Sequence, residues 1–351
     1  MHKNRFLFHH RYRRIFYLIF FILVIPQFAA SQNYLWPTNA SKLLSSNFCE
    51  FRPRHYHAAL DIKTWNRTGY RIFAIEDGYI MRVRTSAFGY GKALYLKLND
   101  GNTVVYAHLS HFSPEIDDYV KNRQLSSQQY YQDIHLTPEK FPVKRGQVIG
   151  YTGRSGIGVP HLHFEIRNRR NEPINPMKFY HQQIKDTYAP QLHEVAFIPI
   201  DYQSLINLRT DTVSYNLGRA TDAVLKDTLL FSGKVGLLLK SYDLADGARN
   251  LYSFYKGRLW IDDSLAYSIQ YDRFSYGQTD RIELDKNFSL WRRGEGIYHN
   301  FFKHPLNNLP FFDNTGFWGG IIDCDQLPQG IHQLKIELQD YHGNTATFGL
   351  F

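Results

Sequence analysis

Apolar and polar positions alternate in short runs along most of this 351-residue chain, the period-2 pattern of half-buried strands rather than the 3.6 period of helices. RIFAIEDGYIMRV, ALYLKLNDGNTVVYAHL and VKRGQVIGYTG carry such runs, broken at Glu76-Asp77-Gly78, at Asn99-Asp100-Gly101-Asn102 and at Lys144-Arg145-Gly146. The second break is an Asp-Gly hairpin signal between two alternating strands. Together these runs predict a compact antiparallel β domain over 47–185. One stretch departs from the pattern: Ser113-Pro114-Glu115 opens a helical period continued by Ile116, Tyr119, Val120 and Arg123. It predicts a partly helical, polar insertion over 111–142 that leaves the sheet and is long enough to shape access to a neighbouring site.

From about Asp186 the vocabulary changes. KVGLLLKSYD, RLWIDDSLAYSIQYD and HQLKIELQDYHGNTATFGLF read as strands, with turns at Asp340 to Asn344 and at Asp243 to Asn250. Regular strand and turn signals over this length predict a β-sandwich at 186–351, of which an immunoglobulin-like arrangement is one form. The expected fold class is therefore all-β: a short lead at 32–46, an antiparallel sheet domain with its insertion, then a sandwich. With 25 Tyr and 26 Phe against 3 Met, the apolar content also suits strands.

The amino terminus has a different texture. Lys3, Arg5, Arg11, Arg13 and Arg14 precede the apolar run Ile15 to Ile25, and Ala29, Ala30 and Ser31 follow. These are the three parts of a secretory signal peptide at 1–31, with cleavage expected near Ser31. An uncleaved membrane tether is the alternative, against which the run is short for a bilayer. The expected location is the periplasm or cell envelope. This leader also explains the charge. The chain has 41 Lys+Arg and 32 Asp+Glu, a formal +9, and loss of the leader's five cations lowers that to +4. A mild surplus is no polyanion-seeking surface, so no nucleic-acid partner is expected. Cys49 and Cys324 are too few for a disulfide scaffold or a cysteine-rich metal site, and their pairing is left open.

Three patterns between 55 and 165 carry candidate chemistry. In HYHAALDIKT, His57 and Asp61 are four apart and share a face if the segment is a strand. In VVYAHLS, His108 ends an apolar strand. In HLHFEI, His161 and His163 share a face with Glu165, which either orients a histidine from behind or sits on a solvated strand. His55 competes with His57 but has a different spacing to Asp61. With 16 His in the chain, no single pattern is specific. Jointly, beside the glycine-rich stretch Thr152 to Gly158, they suggest two or three metal ligands plus groups that manage a bound water. Two imidazoles and one carboxylate leave a fourth position open on zinc, the arrangement of a catalytic site. HExxH, GxSxG and phosphate-loop motifs are absent from the sequence, which removes support for thermolysin-like, serine-hydrolase and nucleotide-dependent chemistry.

HYHAALD, YAHL and HLHFE, in this order, resemble the motifs of the lysostaphin/LytM-type zinc metallopeptidases, and the likeness extends over 47–180 through DGYIMRV, GYGKALYL, VKRGQVIG and GYTGRSG. The resemblance implies a LytM-like β-sheet groove, Zn2+ bound by His57, Asp61 and His163, and a catalytic pair, His108 and His161. It further implies hydrolysis of peptide bonds in peptidoglycan, the expected partner. A catalytically silent cell-wall binding or regulatory protein on the same fold is the alternative. An envelope protein that docks on the C-terminal region is a further expectation. Cys49 and Ala59 stand where that family usually has Gly, so the backbone at Ala59 is expected to avoid conformations that only Gly favours.

Overall fold

The computed structural model describes residues 33–225, 227–312 and 316–350; the predicted leader at 1–31 lies outside them. The chain is all-β in architecture, with short helices between sheets. The main sheet runs, in spatial order, Leu44–Ser46, Leu60–Lys63, His161–Arg167, Thr103–Ala107, Ala93–Leu98, Gly78–Thr85 and Gln132–His135. Each neighbouring pair is antiparallel. A smaller sheet of Arg71–Phe73, Val148–Tyr151 and His111–Phe112 carries Ile72, Phe112 and Ile149 into the same core as Leu60, Ile62, Val104, Tyr106, Leu162, Phe164 and Ile166. Because side chains alternate along a strand, the other face of His161–Arg167 is left to His161, His163, Glu165 and Arg167.

The Asp-Gly hairpin forms as read, Ala93–Leu98 pairing with Thr103–Ala107. The turn before Gly78 does something else: Arg71–Phe73 belongs to the small sheet and Gly78–Thr85 to the large one, so the chain changes layers there. The insertion is a helix at Pro114–Ser127, with proline in its first turn as expected. It does not leave the sheet. Gln132–His135 and Pro142–Val143 return to pair with Gly78–Thr85, and Ile116 and Val120 of the helix join the main core, on the face opposite the histidines. The lead segment is built in as well, with Tyr34 and Trp36 buried and Leu44–Ser46 on the sheet edge.

Residues 191–350 form two facing sheets. One contains Val213–Ala220, Gln191–Pro199, Lys234–Tyr242 and His299–Asn300; the other contains Asp222–Leu225, Thr345–Leu350, Leu334–Gln339, Lys256–Ile261 and Ser264–Gln270. Leu237, Leu239, Val195 and Phe197 meet Leu259, Ile336, Leu338 and Phe348 in one core. The turn between Ile261 and Ser264 is tight, with Asp262 and Asp263 both at positive φ, as a right-twisted hairpin demands. The turn from Asp243 to Asn250, in contrast, crosses between sheets. Short helical turns at Tyr276–Arg281, Ile282–Asp285 and Phe288–Arg292 interrupt the sandwich; runs this brief leave no period in a sequence. Phe48, Cys49, Tyr56 and Ala58 pack in this second core, while Ala245 and Tyr252 pack in the first. Hydrogen bonds from Tyr252 to the Leu44 carbonyl and from Asn47 to the Ser253 carbonyl bind the two cores together. Among the described residues no helix is long and apolar enough to cross a membrane.

Candidate metal centre

Sheet register assembles the site. His163 lies directly across from Asp61 on one side and Ala107 on the other, so both site side chains rise from the same face of adjacent strands. His57 arrives differently from the sequence expectation. The segment between Tyr56 and Leu60 is not strand, and His57 is fixed by a loop in which its N–H donates to the Glu50 carbonyl and its own carbonyl accepts from Cys49. Ala59 has no positive φ, whereas Cys49 sits at φ 63° in a conformation that favours glycine. Both cysteines are free thiols. His108 follows the last residue of its strand at φ 61°, another left-handed non-glycine position, and backbone strain of this kind gathers at functional sites.

Three donor atoms converge. His57 Nε2 lies 3.1 Å from Asp61 Oδ1, His163 Nδ1 lies 3.0 Å from the same oxygen, and the two nitrogens are 3.3 Å apart. A four-coordinate cation with bonds of about 2.0–2.1 Å holds its ligands roughly 3.3–3.4 Å apart, so the three fit a small tetrahedral ion. Ligand atoms of His108, His161 and His163 also gather within 4.8 Å of one another.

The proton positions support the same reading. Each imidazole has one nitrogen on a protein acceptor: His57 Nδ1 on the Asn47 carbonyl (2.7 Å), His108 Nδ1 on the Ser155 carbonyl (2.9 Å), His161 Nδ1 on the Val159 carbonyl (2.7 Å) and His163 Nε2 on Glu165 Oε1 (3.0 Å). In a neutral ring those nitrogens carry the hydrogen and the second nitrogen turns its lone pair toward the site, as a metal ligand must; His163 Nδ1, which faces Asp61 Oδ1, gives up a proton to do so. His55 is different. It is exposed, bonds the Pro53 carbonyl and joins no donor group among the described residues.

Electrostatics favour an added positive charge. Burial alone would raise the Asp61 carboxyl, but His57 and His163 outweigh it and hold the group well below the usual carboxylate range. Burial would likewise lower His163, yet hydrogen bonds to Asp61 and Glu165 push it up to about 9, so the two carboxylates draw a cation between them. His108 is lowered to about 4, first by burial and then by His163 and His161.

Glu165 is not on a solvated face. It is fully buried, and beyond His163 it accepts from Tyr90, from Tyr276 (2.7 Å) and from Arg167 Nε (2.7 Å). Burial would raise its carboxyl, but Arg167 above all, then His163 and Tyr90, bring it down to about 2. Sequence reasoning alone misses Tyr90, Arg167 and Tyr276. Arg167 shares the alternating face of Glu165, a signal that could have found it, and Tyr90 lies in GYGK. Tyr276 comes from a helical turn more than a hundred residues away and has no local signal. The glycine-rich stretch holds His108 in place, since Ser155 supplies the carbonyl for its ring and donates its own hydroxyl to the Leu109 carbonyl. A Cβ at Gly156, φ 84°, would meet the Gly89 carbonyl oxygen at 2.2 Å, so only glycine lets the two loops touch.

No protein-family model matches the chain, and no curated protein matches it significantly. Solved structures do. A zinc-containing peptidase from Vibrio cholerae is similar at 24% identity over 42% of this chain, with a TM-score of 0.31; the match spans 40% of the Vibrio chain. The catalytic domain of the antimicrobial peptidase lysostaphin from Staphylococcus simulans is similar at 23% identity over 40% of this chain and 90% of its own, with a TM-score of 0.28. The complex of SpoIIIAH and SpoIIQ contains a chain similar at 18% identity over 42% of this one and 99% of its own, with a TM-score of 0.31.

Proposed function

We propose that the protein is an exported zinc metalloendopeptidase that hydrolyses peptide bonds in peptidoglycan stem peptides or cross-links. The observation that carries this reading is the cage itself: three donors 3.0–3.3 Å apart, with their hydrogen-bearing nitrogens turned outward and two more imidazoles beside them. Zn2+ would be held by His57 Nε2, Asp61 Oδ1 and His163 Nδ1, where it supplies a Lewis acid and a water ionisable near neutral pH. The peptidoglycan substrate rests on the motif resemblance. Export to the periplasm or envelope rests on the pattern of residues 1–31, and an envelope protein partner for 186–351 rests on architecture alone.

The chain's own groups divide the remaining work. His108, neutral at pH 7 by its lowered pKa, offers a free Nε2 to take the proton from an attacking water and return it to the departing amine. Its ring centroid lies 4.6 Å from that of His161. His161, once protonated, can donate from Nε2 to the oxygen that gains charge in the transition state. Ser155 and Val159 hold these two rings in place through their carbonyls.

Purified sacculi test the reading. Wild type is expected to release peptide fragments whose masses identify the bond, and both a chelator and His163→Ala are expected to stop release. Equal release by wild type and His163→Ala would remove the enzyme reading and leave the silent wall-binding one.

A further inference from the structure

A second donor cluster lies away from the histidine cage and shares no residue with it. Asp186 follows the last helical turn packed under the main sheet; Asp243 directly follows the strand Lys234–Tyr242, and Asp340 directly follows Leu334–Gln339 in the facing sheet of the sandwich. Asp186, Asp340 and His342 bring ligand atoms within 4.8 Å of one another. Together with Asp243 they line a cavity of ≈ 40 Å³. That is room for a guest the size of an ion or a water.

Two features of the cluster point to a ligand. His342 Nε2 is 2.8 and 2.9 Å from the carbonyl oxygens of His181 and Ile184, so the hydrogen sits there and Nδ1 keeps its lone pair. That Nδ1 faces Asp186 Oδ2 at 3.7 Å. The gap is too long for a hydrogen bond and right for two ligands of one cation about 2.2 Å from each. The second feature is Asp243. It is 4% exposed, and its Oδ1, fully buried, has no hydrogen-bond partner. Such an orphan is costly unless something positive meets it. Asp340 and Asp186 are meanwhile oriented by the chain: Asn344 donates its backbone N–H (2.8 Å) and its side-chain amide (2.6 Å) to Asp340, and the Tyr188 N–H donates to Asp186 Oδ1. Burial, then the neighbouring carboxylates, push Asp243 well above the usual carboxylate range, and burial leads the rise of Asp186 to about 7.

We propose that Asp186, Asp340 and His342 bind a divalent cation, with Asp243 completing the shell directly or through one water. The mixed carboxylate and imidazole set selects a Mn2+- or Zn2+-like ion over Ca2+, which prefers oxygen alone. The ion ties both sheets of the sandwich to the segment that leaves the main-sheet core, acting as a staple rather than as a reaction centre.

The test uses the full chain carrying His163→Ala, so that the cage lacks a donor, stripped with EDTA and titrated with MnCl2. Loss of the free Mn2+ signal in electron paramagnetic resonance is expected to saturate at one ion per chain, and Tm to rise by roughly 5 °C at a hundredfold excess over Kd. Adding Asp243→Asn and Asp186→Asn, which keeps the oxygen that accepts from the Tyr188 N–H, is expected to abolish both responses. These substitutions remove like charges, so the stripped variant should melt no lower than its stripped parent, and a folding failure would show at once in that comparison. Absence of bound Mn2+ at millimolar concentration overturns the proposal, as does binding that survives both substitutions. A Tm rise with CaCl2 and none with MnCl2 overturns the part given to His342.

Discussion

Two buried polar clusters meet at consecutive residues. His57 enters the histidine cage, while the Tyr56 hydroxyl turns the other way and donates to Asp285 (3.1 Å). There Lys286, 1% exposed, spends its three hydrogens on the Tyr271 hydroxyl (2.7 Å), Asp285 Oδ2 (2.7 Å) and His299 Nδ1 (2.8 Å). Burial, then Lys286, hold His299 well below its usual range, so its ring is neutral and accepts. That cluster carries its own cation and saturates it. The cage has two carboxylates and four imidazoles: Arg167 is matched to Glu165, while Asp61 Oδ1 and the imidazole nitrogens around it face one another in the arrangement of metal donors. A closed network of this kind fixes structure, and an open one presents reactive atoms. The contrast therefore predicts opposite phenotypes on either side of the Tyr56–His57 step.

The largest effect is expected on the open side. His108→Asn keeps a residue that tolerates the left-handed backbone at φ 61° but has no base to offer. Peptide release should fall by about 10³-fold, within the range for loss of a general acid–base group, while zinc affinity and unfolding midpoint stay near wild type. A matching drop in stability would mean that His108 is structural and that the cage is closer to the Lys286 cluster than its lone pairs suggest.

Lys286→Met should do the reverse. Asp285 would remain buried without its cation, a loss of about 3–5 kcal/mol, read as a lower urea midpoint at unchanged m-value. Protein that remains folded should still bind zinc and cut. Lys286→Met with Asp285→Leu should recover much of the stability, since removing both charges avoids the orphan. If the single variant unfolds no earlier than wild type, the closed network contributes nothing and the contrast fails.

The two clusters also differ in how far they can be read from sequence. Strand alternation is enough to put His161, His163 and Glu165 on one face, and the hairpin at Asn99 to Asn102 marks the strand that carries His108. Register, which places Asp61 opposite His163, depends on pairing between strands a hundred residues apart and leaves no local trace. His57 escapes the alternation rule because its loop, not a strand, aims it. Lys286 reads as an ordinary surface cation in LDKNF; only the packing of Tyr56, Tyr271 and His299 around it makes it a core residue. The insertion is legible as a helix from Pro114 onward, but its return to the sheet edge through Gln132–His135 is hidden among polar residues, where edge strands need no apolar pattern.

Glu165 lies between the two designs, and its substitution gives the finest test. Like Asp285 it is buried and matched, taking donors from Tyr90, Tyr276 and Arg167; like the cage it acts on a candidate ligand, holding the Nε2–H of His163 at 3.0 Å. Glu165→Gln removes the charge and turns one acceptor into a donor, so the ring is less firmly oriented and its Nδ1 less basic. Loss of such an outer partner costs about 10–100-fold in metal affinity, measurable by competition with a chromophoric chelator. Because all three inner ligands remain, cutting at saturating zinc should return toward wild type. Rescue by zinc identifies Glu165 as a positioning residue for His163. Unchanged affinity together with a lower urea midpoint would place it instead with Asp285, as a carboxylate whose work is to join Arg167 and the Tyr276 turn to the sheet.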